Sequence, residues 1–135
     1  KKRKKNEYSA LEKELDVLVS RYVRLRDGKC VCCESTGEPN CGHYVPRGKA
    51  RLRWDLRNCN QQCWPCNVRH RHWPNFYASA MRRIYSEETM KELDALAELP
   101  TWKWTYADLL KIRDDIRERY DKLKARSLYA GVYRI

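Results

Sequence analysis

Two cysteine pairs, Cys30-x-x-Cys33 and Cys63-x-x-Cys66, separated by 29 residues, constrain this chain more than any other feature. Each pair can offer one ion two sulfurs about 3.5 to 4 Å apart, and Zn²⁺ takes four thiolates tetrahedrally at roughly 2.3 Å. Structural zinc on these four residues is therefore expected. The stretch from Lys29 to Asn67 holds all seven cysteines, three of the five glycines and three of the five prolines, with few aliphatic residues. The metal stands in for a core there, and removing it should unfold the segment. A disulfide framework is disfavoured, because no apolar segment follows the basic start as a secretory signal would require, and the cysteine count is odd. Cys32, Cys41 and Cys59 are read as packing thiols. Cys32 could replace a member of the first pair, but C-x-x-C chelates better than adjacent cysteines.

Around this centre the periodicity is helical. Tyr8, Leu11, Leu15, Leu18, Tyr22 and Leu25 recur at steps of three and four, predicting a helix over 9–26. Ser9 with Glu12 reads as a capping box at its start, and Asp27-Gly28 as a left-handed stop. Lys1 to Asn6 reads as a solvated basic arm. Beyond the cysteines, Asn75 caps a short helix with Phe76, Tyr77, Ala80, Met81 and Ile84 inward. Ser86 opens another through Met90, Leu93, Leu96 and Ala97. Thr105 with Asp108 caps a long last helix with Leu109, Ile112, Ile116, Tyr120 and Leu123 on its apolar face. The second cysteine pair starts a helix and the first sits on a knuckle, the arrangement of a treble clef. The expected organisation is α+β and mostly helical: a basic arm (1–6), an N-terminal helix (7–28), a zinc-bound core (29–73), a helical region (74–126) and a tail (127–135).

A chain of 135 residues leaves room for one domain. Its net charge of +11 makes a polyanion the expected partner. Arg47, Lys49, Arg51, Arg53 and Arg57 crowd the loop between the cysteine pairs, where Asp55 is the one acid among them. No apolar run approaches the roughly 20 residues of a membrane span, so a soluble chain is expected. Without Met at position 1, the chain reads as a fragment or a processed form.

Between the pairs the sequence reads Gly42-His43-Tyr44-Val45-Pro46-Arg47-Gly48, then Asn58, then Cys63-Trp64-Pro65-Cys66-Asn67. This His-Asn-Asn order resembles the HNH, or His-Me finger, superfamily, whose ββα-metal core pinches a divalent ion against a scissile phosphate. The resemblance implies that His43 is the general base, Asn58 the brace of the hairpin loop and Asn67 a ligand of a catalytic Mg²⁺ or Mn²⁺. Four cysteines clamping such an element look like the phage junction resolvases of the endonuclease VII type. Leu52-Arg53-Trp54, Gln62 before the second pair, and Trp104-Thr105 ahead of a basic last helix are similar to the bacteriophage NinG (Rap) family over about residues 15–126. That similarity implies a phage-encoded endonuclease in the bacterial cytoplasm that cuts branched DNA such as Holliday junctions and D-loops. It implies 5′-phosphate and 3′-hydroxyl products.

Gly42 departs from the pattern, since many superfamily members carry Asp or His there as a second ligand. His70, three residues beyond Asn67 on the same helical face, or Asn40 across the hairpin would complete the ion's shell, as could water and phosphate oxygens. The five basic residues could clamp phosphates, with recognition by backbone and branch shape. Two opposed cuts suggest a two-fold dimer built on the stripe of the first or last helix. The competing expectation is a non-catalytic zinc module that binds branched DNA or RNA by charge.

Overall fold

A computed structural model describes residues 2–132, so Lys1 of the expected arm and residues 133–135 of the expected tail lie outside it. Helix α1 (Lys2–Asp27) leads to strand β1 (Pro39–His43), a 3-10 turn (Ala50–Leu52) and strand β2 (Cys59–Cys63). Helices α2 (Trp64–His72), α3 (Pro74–Ile84), α4 (Glu87–Ala97) and α5 (Tyr106–Val132) complete the chain. The protein is mostly helical α+β. Its two strands pair antiparallel with Pro39 opposite Cys63 and His43 opposite Cys59.

Helix α1 begins two turns before the expected Ser9, and residues 2–6 are its first turns rather than an arm. Lys and Arg are good helix formers, and nothing in Lys2–Tyr8 breaks a helix, so no cap at Ser9 forms. The stop is where the sequence places it: Gly28 adopts φ +71° and its amide donates to the Arg24 carbonyl at 3.1 Å. The buried positions are Leu11, Leu15, Val19 and Val23, with Tyr8, Leu18 and Tyr22 partly covered and Leu25 outside the cluster. The stripe is broader than its sequence spacing suggests because α1 has two neighbours, α5 and the hairpin.

Leu109 and Ile116 of α5 join the same cluster, so the two long helices spend their apolar stripes on each other. Glu14 of α1 pairs with Arg113 and Arg117 of α5 above it. The capping box at the start of α5 is present, Thr105 N–H donating to Asp108 Oδ2 at 3.1 Å and Asp108 N–H to Thr105 Oγ1 at 3.0 Å. α5 runs on to Val132, through residues expected as tail, because Arg126–Leu128 continue a helix without a breaker. Ser86 caps α4 by accepting from Thr89 N–H at 3.2 Å. Asn75 does not cap α3: Trp73 takes that position without a side-chain bond, and Pro74, whose φ is already helical, is the first residue. Tyr77, Ala80 and Met81 are buried as expected, whereas Ile84 is exposed.

The hairpin is thus a central layer. One face packs on α1 through Cys41 and Cys59, and a second cluster holds the loop residues Val45 and Leu52 against Tyr77 and Met81 of α3 and Met90 and Leu93 of α4. Arg26 and Asp27 dock the end of α1. Arg26 donates to the carbonyls of Leu56 at 2.9 Å and Cys59 at 2.8 Å, and Asp27 Oδ2 accepts the Gln61 amide at 2.8 Å. Among the described residues no helix is long and apolar enough to cross a membrane.

Candidate functional site

The four cysteines of the two pairs converge. Their sulfurs lie within 4.8 Å of one another, and Cys33 Sγ is 3.6 Å from Cys63 Sγ. A zinc tetrahedron with roughly 2.3 Å bonds has edges of about 3.8 Å, so the donor set fits the ion. A tight turn closes the first pair, with Glu34 N–H donating to the Cys30 carbonyl at 2.9 Å and Glu34 itself at φ +66°. Burial raises the Cys30 thiol, but backbone amides of Cys63, Cys33 and Cys32 favour its thiolate more, bringing it down to about 7. Burial and the neighbouring thiols push Cys66 the other way. Four sulfurs this close ionise together only around a cation.

Asn58 is fully buried, and its carboxamide joins the two sides of the loop. Its Oδ1 accepts from Val45 N–H at 2.7 Å, and its Nδ2 donates to the carbonyls of Val45 at 3.0 Å and Leu52 at 3.1 Å. The segment leaving β1 and the 3-10 turn are thereby held in fixed register.

The turn positions His43. Its Nε2 lies 2.9 Å from the Arg53 carbonyl, which can only accept, so Nε2 carries the proton and Nδ1 the lone pair. Burial pushes this imidazole below its ordinary 6.5, partly opposed by that carbonyl and by Asp16. The ring lines a cleft of about 120 Å³ with Asp16, Val19, Cys41, Arg47, Arg53 and Trp54. Asp16 organises the cleft wall by accepting from Arg53 Nε at 3.0 Å and Trp54 Nε1 at 2.9 Å. Asp16 carries no sequence signal, since it sits on α1 and only tertiary packing brings it here.

Asn67 and His70 both sit on α2, three residues apart. No residue of α2 lines the His43 cleft. His70 stacks edge-on against Tyr77 at 4.8 Å, beside the backbone of His43 and Tyr44, and its buried Nδ1 has no hydrogen-bond partner. Asn67 is half-buried on the first turns of α2. Gly42 has no room for a side chain as the backbone and Gln62 stand: a Cβ there would lie 1.9 Å from Gln62 Oε1, and Gln62 is fully buried. Asn40 turns to its own strand entrance, its Nδ2 donating to the Glu38 carbonyl at 3.0 Å.

The five basic residues divide. Arg53 pairs with Asp16 at 2.6 Å and Glu12 at 2.9 Å, and Arg57 with Asp55 at 2.8 Å and Glu92 at 2.9 Å. Arg47 reaches Asp16 only at 3.6 Å, with 62% of its side chain exposed at the cleft mouth. Lys49 is exposed, and the Arg51 guanidinium sits 4.3 Å over the Trp102 ring.

Together these features define a mostly helical α+β protein organised by a two-stranded hairpin and a four-cysteine centre of zinc geometry. Residues 1–126 match the family described as Bacteriophage Lambda NinG protein, and the chain belongs to that family. No curated protein and no solved structure shows significant similarity to it.

Proposed function

We propose that the chain is a structure-specific endonuclease for branched DNA, built on a zinc-stapled ββα core of the HNH type. The observation that carries this reading is the tautomer of His43. A half-buried imidazole with Nε2–H fixed on a carbonyl offers Nδ1 as a base that is neutral at pH 7. Nδ1 takes a proton from water, the hydroxide oxygen bonds to phosphorus in line, and the bond to the 3′ oxygen breaks. That oxygen takes a proton from solvent, leaving 5′-phosphate and 3′-hydroxyl ends. Arg47 at the cleft mouth pairs with a non-bridging oxygen as charge builds there. Asn58 acts as a positioning residue by holding the loop that carries His43 and Arg53.

The family resemblance brings Mg²⁺ or Mn²⁺ to Asn67 and His70. These two offer an amide oxygen and an imidazole nitrogen, and neither lines the His43 cleft. Hard ions select oxygen ligands, so this pair does not fit a magnesium site beside His43. Two opposed cuts call for a homodimer, which must use a surface other than the stripes that α1 and α5 bury against each other.

The test is nicking of four-way junctions, D-loops, flaps and linear duplex with Mg²⁺, Mn²⁺ or neither. Wild type is expected to nick branched substrates. His43→Ala should bind them with the zinc of its four-cysteine centre and its circular dichroism unchanged, and lose cleavage. If wild type nicks nothing with any divalent ion, the chain is a zinc module that binds branched nucleic acid without cutting it.

A further inference from the structure

We propose that Cys41, His43 and Cys59 form a second metal site, suited to a soft divalent ion such as Zn²⁺, whose occupation withdraws His43 from its role as base. The last clause rests on the nuclease reading; the site itself does not.

Strand geometry puts the three donors on one face. Side chains alternate along a strand, so Cys41 and His43 point the same way from β1, and Cys59 is paired directly opposite His43 on β2. One ligand atom from each lies within 4.8 Å of the others. The group is separate from the four-cysteine centre, which uses none of these residues.

The histidine is already prepared as a ligand. Metal-bound imidazoles almost always donate their other ring N–H to a carbonyl or carboxylate, which fixes tautomer and orientation. The Arg53 carbonyl takes that N–H here, leaving Nδ1 for the ion. The donor set selects the metal, since two thiolates and an imidazole suit Zn²⁺ and are poor ligands for Mg²⁺.

Charge balance favours the site as well. Two thiols release two protons on binding, so a divalent ion with two thiolates and a neutral imidazole carries no net charge. That is the form a buried position tolerates at least cost. Cys59 is fully buried and its thiol now donates to the Arg53 carbonyl at 3.5 Å, a contact the thiolate would give up for the ion. Two of the three donors, Cys41 and His43, line the cleft with Asp16 and Arg47, from which water or a phosphate oxygen would complete a tetrahedron.

Nδ1 has one lone pair. It can deprotonate water or bind an ion, and the two states exclude each other. Free zinc would then suppress cutting through the catalytic imidazole while leaving the structural centre loaded.

The experiment uses the full chain, kept reduced with a phosphine, stripped of metal and titrated with Co²⁺ as the probe. Two ions per chain are expected in wild type, with sulfur-to-cobalt charge-transfer intensity from six thiolates. Cys41→Ser, a half-buried position, should bind one ion and lose the intensity of the second site, with circular dichroism confirming the fold. Cys59→Ala should do the same. One ion in wild type, or two in Cys41→Ser, overturns the proposal. Nicking of a four-way junction with and without added Zn²⁺ supplies the second arm: suppression in wild type and its loss in Cys41→Ser are expected, and equal suppression in both overturns the regulatory clause. A chain that binds two Co²⁺ and never nicks DNA keeps the site and ends the nuclease reading. One that nicks and binds a single ion does the reverse.

Discussion

Asn58 and His43 are adjacent in role but were legible from the sequence to different depths. The Asn58 carboxamide satisfies the N–H and carbonyl of Val45 and shares the Leu52 carbonyl with the Asp55 N–H, so truncation leaves two backbone groups, both of Val45, without partners. At 1 to 3 kcal/mol for an unsatisfied group, partly relieved by water entry, Asn58→Ala should cost about 3 kcal/mol. Urea denaturation of the zinc-loaded chain measures it, and a loss below about 1 kcal/mol would show that the loop holds without this brace. Its place in the sequence order was enough to find it. The direction of the His43 ring was not, because that depends on a carbonyl ten residues further along in a 3-10 turn. On the proposed nuclease reading the same ring would set the pH response. Burial lowers its pKa below 6.5, so with the neutral form as base cleavage should be flat through neutrality and fall only as pH drops through that lowered value. A single-turnover pH profile with an acid limb above 6.5 would remove His43 as the base.

The elements divide by what encodes them. A chelating pair or a capping box is a local device, so the four cysteines, Ser86 and the Thr105–Asp108 box could be read directly. The start of α1 could not, because a cap at Ser9 competes with a run of lysines that is equally content as helix. Gly42 was legible only as a gap; the reason for it lies on the neighbouring strand, where Gln62 fills the space and donates to Cys32 Sγ at 3.3 Å. Metal dependence should follow the same division. The knuckle, hairpin and α2 meet around sulfur, whereas α1 and α5 have an apolar seam of their own. A chelator strong enough to extract zinc, whose binding is worth about 10 to 16 kcal/mol in small zinc modules, should abolish the near-ultraviolet signal of Tyr77, which is fully buried with its hydroxyl on the Gly42 carbonyl of the hairpin. Much of the far-ultraviolet helical signal should persist. Simultaneous loss of both signals would show that the seam between the long helices also depends on the metal.

For the whole molecule the question is how much of a +11 charge is free to meet a polyanion. Sequence counts every cation alike, but the fold commits Arg53 and Arg57 to acids of α1, α4 and the loop, and leaves Arg47 and Lys49 outward. Each phosphate contact contributes about 0.9 to the slope of log binding constant against log salt. Arg47→Ala should therefore weaken junction binding across sequences and lower that slope by about 1, with no change in melting temperature. Arg53→Ala should do the opposite. Its side chain is 17% exposed, and its loss leaves Asp16 and Glu12 without their main partner, which costs about 2 kcal/mol after allowing for solvent screening. The salt slope should barely move for this variant. Equal slopes lost by the two variants, with equal stability, would mean that the ion pairs of Arg53 open on DNA and that the static division of cations misjudges the binding surface.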